Sequence, residues 1–126
     1  MPILHVRALP EEDHDKIKNA LKMACEAIAN AYGCQESHVW ATWEEITPGF
    51  YIEGSCDSAF QPADTHPPIC ELVCFEGKND TKIEEVLLAT SKALGEGLGL
   101  ENNIFVSYRE AKAGQAVIGN RVVGKN

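Results

Sequence analysis

Pro2, directly behind the first methionine, can do chemistry that no internal residue can. Aminopeptidases remove an initiator methionine when the next residue is as small as proline, so we expect a mature chain that begins with the Pro2 secondary amine. A free α-amino group titrates near pH ~8, and a modest electrostatic perturbation brings it into the range of a general base. If Met1 is retained, Pro2 is an amide and merely starts a strand. The pair Pro2-Ile3 returns at Pro68-Ile69, which indicates a doubled chain.

Composition restricts what kind of protein this chain of 126 residues is. Apolar residues make up 44% and charged residues 24%, which is typical of a globular domain, and the net charge of −8 argues against nucleic acid as a partner. We find no segment with the pattern of a membrane span or a signal peptide. The five cysteines are an odd set without Cys-x-x-Cys spacing, which indicates reduced thiols in a cytoplasmic protein. Neither cysteines nor histidines have metal-ligand spacing, so we expect no metal site.

An internal repeat organises the sequence. A shift of 66 residues aligns the two halves without a gap from Pro2 to Ile52, and nine identical pairs coincide with a shared apolar pattern. The pairs are Pro2/Pro68, Ile3/Ile69, Lys16/Lys82, Ile17/Ile83, Leu21/Leu87, Ala27/Ala93, Gly33/Gly99, Glu44/Glu110 and Ile52/Ile118. We therefore predict one domain over residues 1–126, with repeat one at 2–54, a turn-rich linker at 55–67 and repeat two at 68–120.

Each half has the pattern of a β-α-β unit. A short apolar strand is followed by a helix with one apolar stripe, then by a strand with period-two alternation and a short extended segment. Residues 11–13 place negative charge in the first turn of the first helix, Gly33 ends it, and Asn79 or Asp80 caps the second helix. Because a crossover helix joins parallel strands, we predict an α/β (α+β) fold, a tandem β-α-β repeat with a four-stranded mixed sheet and both helices on one face. Other subunits are the natural cover for the second face.

Several segments resemble one family. Phe75-Glu76-Gly77-Lys78-Asn79-Asp80 resembles the Leu-Glu-Gly-Arg-Ser-Asp turn of 4-oxalocrotonate tautomerase, and the tails near Phe50 and Ile118 are similar to that family as well. With the Met-Pro start and the doubling, the chain resembles the tautomerase superfamily over nearly its whole length. Its doubled length resembles macrophage migration inhibitory factor (MIF), malonate semialdehyde decarboxylase and cis-3-chloroacrylic acid dehalogenase. The resemblance implies a tautomerase/MIF-like fold, a homotrimer, catalysis by the N-terminal proline, and no cofactor.

The resemblance also implies which cations hold a substrate. Lys78 matches the family's arginine at the strand-to-helix turn. It keeps the positive charge but cannot form the bidentate hydrogen bonds of a guanidinium. Arg109 shares a strand face with Phe105, on the strand where the family places residues contributed by a neighbouring chain. A surface or interface ion pair is an equal alternative for Arg109. Glu76 stands about where some doubled members have one of a pair of arginines, which disfavours their dehalogenase and decarboxylase activities.

Aromatic residues are expected to wall the site. Phe50 matches an aromatic of 4-oxalocrotonate tautomerase that walls the pocket, although ordinary packing at the barrel mouth explains it equally well. Phe105 stands where related doubled members have a tyrosine or an arginine, and it can shape a pocket but cannot donate a proton. The predicted apolar wall consists of Phe50, Phe75 and Phe105.

These residues together predict a cytoplasmic, homotrimeric tautomerase or isomerase. Pro2 would act as general base and acid in a keto-enol or double-bond isomerisation of a small 2-oxo (enol) acid, a carboxylate substrate held by Lys78 and Arg109. The first alternative is a dehalogenase or decarboxylase of a three-carbon acid from the same superfamily. The second is a non-catalytic trimer that binds a small molecule or a protein. Neither nucleic acid nor a membrane is an expected partner.

Overall fold

The computed structural model describes residues 1–124, which form two helices, one large sheet and two short hairpins. In chain order the elements are β1 (Ile3–Ala8), α1 (His14–Tyr32), a 3₁₀ turn (Glu36–His38), β2 (Trp40–Glu45), β3 (Ile52–Glu53), β4 (Cys56–Asp57), β5 (Ile69–Phe75), α2 (Asp80–Leu98), β6 (Phe105–Ala111), β7 (Val117–Ile118) and β8 (Arg121–Val122). β3 and β7 overlap the short extended segments that were predicted, whereas their hairpin partners were not predicted: β4 lies in the expected linker and β8 lies beyond repeat two.

The four long strands form one mixed sheet in the order β2-β1-β5-β6. β1 is parallel to β2 and β5 is parallel to β6, while the two central strands β1 and β5 are antiparallel. Both helices cover the same face of this sheet and share one apolar core with it. The predicted α+β fold is therefore confirmed. Because β1 and β5 run in opposite directions, Pro2 and Pro68 lie at opposite ends of the sheet.

Matching caps fix the ends of the two helices. The side chain of Asp13 accepts a hydrogen bond from the Lys16 amide at 3.2 Å, and Asn79 does the same for Lys82 at 2.8 Å. Of the two caps considered for α2, Asn79 is therefore the one present. Gly33 ends α1 in the left-handed conformation, with φ 89°, as predicted.

The acidic residues at the start of α1 do not lie in its first turn. The helix begins at His14, so Glu11 and Glu12 precede it and Asp13 is its N-cap, and the prediction that residues 11–13 lie in the first turn was wrong. The Glu11 carboxylate reaches across to the Lys16 ammonium at 2.9 Å. That hydrogen bond lowers the pKa of Glu11 below its usual value.

Alternate residues of the two central strands make the core. Cys70 and Cys74 are fully buried beside Leu72 on the helix-facing side of β5. Burial raises the pKa of both thiols, that of Cys70 to about 12, so they are protonated core residues at neutral pH. The matching positions of β1 and the helix residues that close the core are Leu4, Val6, Ala8, Ala24, Ile28, Val86 and Leu94.

The two halves differ by one residue in their second strands. Ile3 pairs with Trp40 and Ile69 pairs with Phe105, so the shift is 66 residues for β1 and β5 but 65 for β2 and β6. The gap-free alignment is therefore wrong beyond the helices, and Glu44 corresponds to Arg109 rather than to Glu110. The extra residue lies in the segment with the 3₁₀ turn, which joins α1 to β2.

Candidate active site

Pro2 lies at the buried start of β1. Its ring is fully buried, and its carbonyl accepts a hydrogen bond from the Trp40 amide at 3.1 Å, which extends the parallel ladder to this residue. Since Ile3 pairs with Val73, the antiparallel register places Pro2 opposite Cys74. Both residues are on the side of the sheet that faces the helices. A Pro2 amine would thus be held by the sheet and shielded from water.

Lys78 brings a positive charge to the same end of the sheet. It lies in the turn between β5 and α2, where its ammonium is 4.4 Å from the centre of the Tyr32 ring. Such a contact between a cation and an aromatic face contributes about 0.5–1 kcal/mol at a partly exposed site. Phe75 ends β5 next to Cys74 and is half-buried. Lys78 and Phe75 are therefore brought to the Pro2 end within one chain.

Cys74 and Tyr108 form a buried polar pair beside Pro2. Burial is the main cause that raises the pKa of each group; in addition the Tyr108 hydroxyl lowers the pKa of the thiol, and Cys74 raises that of the phenol. The amino group of Met1 and the Lys78 ammonium also lower the pKa of Cys74, by less than burial raises it. The Tyr108 hydroxyl is buried and, among the described residues, has no hydrogen-bond partner within bonding geometry.

Sequence reasoning did not single out Tyr108. The signal was present in the alternation of β6, because Tyr108 lies one residue away from the face that carries Phe105 and Arg109. It therefore shares the helix-facing side with Pro2. A donor that is buried without a partner costs about 1–3 kcal/mol, and a role in catalysis is one reason for which proteins retain such a group.

Arg109 lies on the opposite side of the sheet from the Pro2 ring. Its guanidinium is 3.3 Å from the Glu71 carboxylate, and the Arg109 side chain is 66% exposed. Arg109 pairs with Val73, so it is at the same end as Pro2 but on the face away from the helices. Within one chain it forms the surface ion pair that was its alternative interpretation. It can meet a Pro2 site only across an interface between chains.

Phe50 and Phe105 lie at the far end of the sheet. Phe50 follows β2, which ends beside Ala8, and it is 79% exposed. Phe105 begins β6 opposite Ile69, and it is 53% exposed. A strand of this length spans roughly 20 Å, so neither aromatic reaches the Pro2 end of its own chain. As with Arg109, a role for them at Pro2 requires a neighbouring chain.

The described residues contain no group of three or more His, Cys, Asp or Glu side chains that could hold a metal ion. No helix in this part of the chain is long and apolar enough to cross a lipid bilayer. The five cysteines are free thiols. The chemical groups collected at the Pro2 end are thus a buried chain start, an ammonium, a thiol and a phenol. They can bind an anion and move a proton.

Comparison with known proteins places the chain by its fold. No protein-family model matches the sequence, and no curated protein sequence matches it significantly. Solved structures do match. Pt0534, crystallised after inactivation by 2-oxo-3-pentynoate, is 16% identical and superposes with a TM-score of 0.84 over 97% of this chain and 95% of its own. A fused 4-OT, a symmetric trimer, is 15% identical with a TM-score of 0.83 over 97% and 95% of the two chains.

A malonate semialdehyde decarboxylase, with structures of the wild type, a mutant and an inactivated form, matches more distantly. It is 16% identical and has a TM-score of 0.74 over 93% of this chain and 90% of its own. The chain therefore has the fold of tautomerase-superfamily structures, and the resemblance predicted from the sequence is confirmed at the level of the fold.

Proposed function

We propose that this protein is a homotrimeric tautomerase in which the amine of Pro2 transfers a proton within a small enol acid. The observation that carries the proposal is the place of Pro2. It directly precedes β1 at a buried end of the sheet where Lys78 supplies a cation, in a fold shared with a fused 4-OT. The free cysteines agree with a cytoplasmic location. The proposal requires that Met1 is removed, since only a free amine has a basic lone pair.

The proposed reaction is a ketonisation. The Pro2 nitrogen takes the proton of the enol hydroxyl, and the electrons of that O–H bond form the carbonyl. The electrons of the enol double bond then take the proton back from the protonated Pro2 at carbon, so the amine is regenerated and atoms balance. Burial and the nearby Lys78 charge both disfavour an ammonium at Pro2, and we expect them to lower the pKa of its amine toward neutrality.

Lys78 and Tyr108 would stabilise the negative charge of the substrate. The Lys78 ammonium pairs with the carboxylate, and the unpaired Tyr108 hydroxyl can donate to the oxygen that carries negative charge during proton transfer. In a trimer, the exposed Phe50, Phe105 and Arg109 of neighbouring chains are available to complete the wall and the anion site. The fused 4-OT with this fold is a symmetric trimer, which supports a trimer here.

The alternative chemistry of a dehalogenase or decarboxylase is less well supported. Glu76 occupies the position at which an arginine would favour it, and its carboxylate accepts a hydrogen bond from the Ala113 amide at 3.1 Å. A non-catalytic binding trimer is the second candidate. It is favoured by the small number of cations at the Pro2 end of the chain, where Lys78 is the one predicted binding residue with a charge on the helix-facing side.

A labelling experiment tests the proposal. We expect 2-oxo-3-pentynoate to give a single adduct, by addition of the Pro2 nitrogen to the alkyne with transfer of the amine proton to carbon. Intact mass and a peptide map should show loss of Met1 and one modified peptide that begins at Pro2. The enol of phenylpyruvate, followed by its ultraviolet absorbance, reports ketonisation in parallel.

Pro2→Ala is the matched control, because alanine is also small enough for methionine removal. We expect this variant to keep the trimer in size-exclusion chromatography with light scattering, and to lose both the adduct and the ketonisation rate. An unchanged rate in Pro2→Ala would refute the proline mechanism. Retained Met1, or modification at cysteines alone, would favour the binding protein instead.

A further inference from the structure

A cavity of about 520 Å³ lies at the end of the sheet opposite to Pro2. Its lining includes Pro68, the apolar residues Trp43 and Leu100, and the charged residues Glu11, Glu12 and Lys16. Ligand sites for small molecules in proteins have volumes of about 300–1,000 Å³, so this space is large enough for one. None of the residues proposed to act with Pro2 within the same chain lines this cavity.

The cavity is the internal counterpart of the Pro2 site. With the shift of 66 residues for the first strands and helices and 65 for the second strands, Pro68 corresponds to Pro2, Trp43 to Tyr108 and Glu12 to Lys78. Pro68 is an internal amide and therefore has no basic nitrogen. The exchange of Lys78 for Glu12 also reverses the charge. The same framework thus builds one cationic end and one acidic end.

The linker roofs this second cavity and is held firmly in place. The side-chain amide nitrogen of Gln61 donates to the carbonyls of Pro62 at 2.9 Å and His66 at 2.8 Å. Asn103, which is buried, donates to the carbonyl of Thr65 at 2.9 Å. The roof is therefore a built structure rather than a loose loop, and Phe60 stands 71% exposed at its edge.

The charges beside the cavity favour a cation. Glu11 and Lys16 form an ion pair at 2.9 Å and largely neutralise each other. Glu12 makes no ion pair in the part of the chain that the structure describes, so two carboxylates and one ammonium leave one negative charge. The apolar wall of Trp43 and Leu100 suits a ring or an aliphatic chain.

We propose that this cavity binds a small amine, with its apolar body against Trp43 and Leu100 and its ammonium paired with the Glu12 carboxylate. This site is separate from the chemistry proposed at Pro2 and does not depend on it. The chain would then carry two sites of related framework and opposite preference, one for carboxylates and one for amines.

The test is a titration of the full-length protein with 2-phenylethylamine at neutral pH, followed by ¹H–¹⁵N NMR. A ligand of this size is expected to bind with a Kd on the order of 1 mM. We expect shifts of the Trp43 indole N–H and the Gln61 side-chain amide. The isosteric alcohol 2-phenylethanol should bind more weakly, and 3-phenylpropionate, which carries a carboxylate on the same phenylethyl group, should not bind. Added salt should weaken the binding of the amine alone.

Three variants decide the interpretation. Ala63→Trp, at the exposed rim, fills the cavity mouth and should abolish binding, while Glu12→Gln should raise the Kd about threefold. Lys78→Met, at the opposite site, should leave the amine affinity unchanged. The proposal is overturned if the amine shifts neither reporter, if the carboxylate binds as well, or if Ala63→Trp has no effect. If a neighbouring copy of the chain already fills the cavity, the amine would shift neither reporter, and this outcome also overturns the proposal.

Discussion

Removal of the Tyr108 hydroxyl should make the protein more stable and less active. In Tyr108→Phe the ring remains in its place on the helix-facing side of β6, and only the buried hydroxyl without a partner is lost. An unsatisfied buried polar group costs about 1–3 kcal/mol, and the neighbouring Cys74 thiol recovers only part of this as a weak acceptor. We therefore expect the free energy of unfolding to rise by about 1 kcal/mol.

Tyr51→Phe is the matched control, with the opposite sign. The Tyr51 hydroxyl donates to the Pro67 carbonyl at 2.6 Å, so its removal should cost about 0.5–1.5 kcal/mol. Urea unfolding of both variants, followed by circular dichroism, measures the difference directly. In a thermal melt, 1 kcal/mol corresponds to roughly 4 °C for a domain of this size.

Activity separates the functional role of Tyr108 from a structural one. If its hydroxyl donates to the substrate, Tyr108→Phe should lower kcat/KM for the enol acid by roughly tenfold or more while stability rises. The pKa of the Cys74 thiol should rise further in this variant, because the Tyr108 hydroxyl that lowers it is lost. A loss of stability of about 1 kcal/mol or more would refute the reasoning, because it would show that the hydroxyl is already bonded.

Three further outcomes are expected. A Cβ at position 97 would be 2.7 Å from Ala20 Cα. Gly97→Ala should therefore lower the free energy of unfolding in urea by about 1–3 kcal/mol, although alanine has the better helix propensity. An increase would mean that α1 and α2 can move apart. Burial raises the pKa of Cys70 from 9.0 to about 12, so the native state keeps a proton that the unfolded state loses, and stability should fall by about 1.4 kcal/mol per pH unit across that window. Cys70→Ala should reduce this slope, to which the buried Cys74 and Tyr108 also contribute, and Cys56→Ser, at an exposed thiol, should not reduce it. Lys78→Arg should raise kcat/KM for a carboxylate substrate, and Lys78→Met should lower it about tenfold. If both variants have the kcat/KM of the unchanged protein, Lys78 is not part of the anion site.

The fold could be predicted because its signals are local and occur twice. Asp13 and Asn79 begin their helices with the same side-chain cap, and Gly33 ends α1 by adopting a backbone conformation that other residues avoid. Apolar spacing then fixes which side of each element is buried. These signals depend on a few neighbouring residues, so they survive without any knowledge of distant contacts.

The site was predicted less completely because it depends on register and on distance. The identity of Glu44 with Glu110 gave a false alignment of the second strands, since the 3₁₀ turn adds one residue that the repeat pattern does not reveal. Tyr108 was missed for the same reason, since its proximity to Cys74 is set by the pairing of β5 with β6. The sequence predicted the direction of β6. That direction places Phe105 at the far end of the sheet from Pro2, but this became clear only from the pairing of β6 with β5.

The antiparallel pairing of β1 with β5 means that the point at which the chain opens decides which end of the sheet receives an amino group. Met1 lies at one end of the sheet, and so does the segment after β6, where the Ala113 amide donates to Glu76. The linker lies at the other end of the sheet. A circular permutant opened in the linker and closed across the original ends would keep every strand pairing and begin at Pro68. Its amine would enter the acidic cavity, and 2-oxo-3-pentynoate should no longer label it. The order of the two repeats along the chain, rather than the structure of the sheet, would then determine which of the two proposed sites contains the free proline amine.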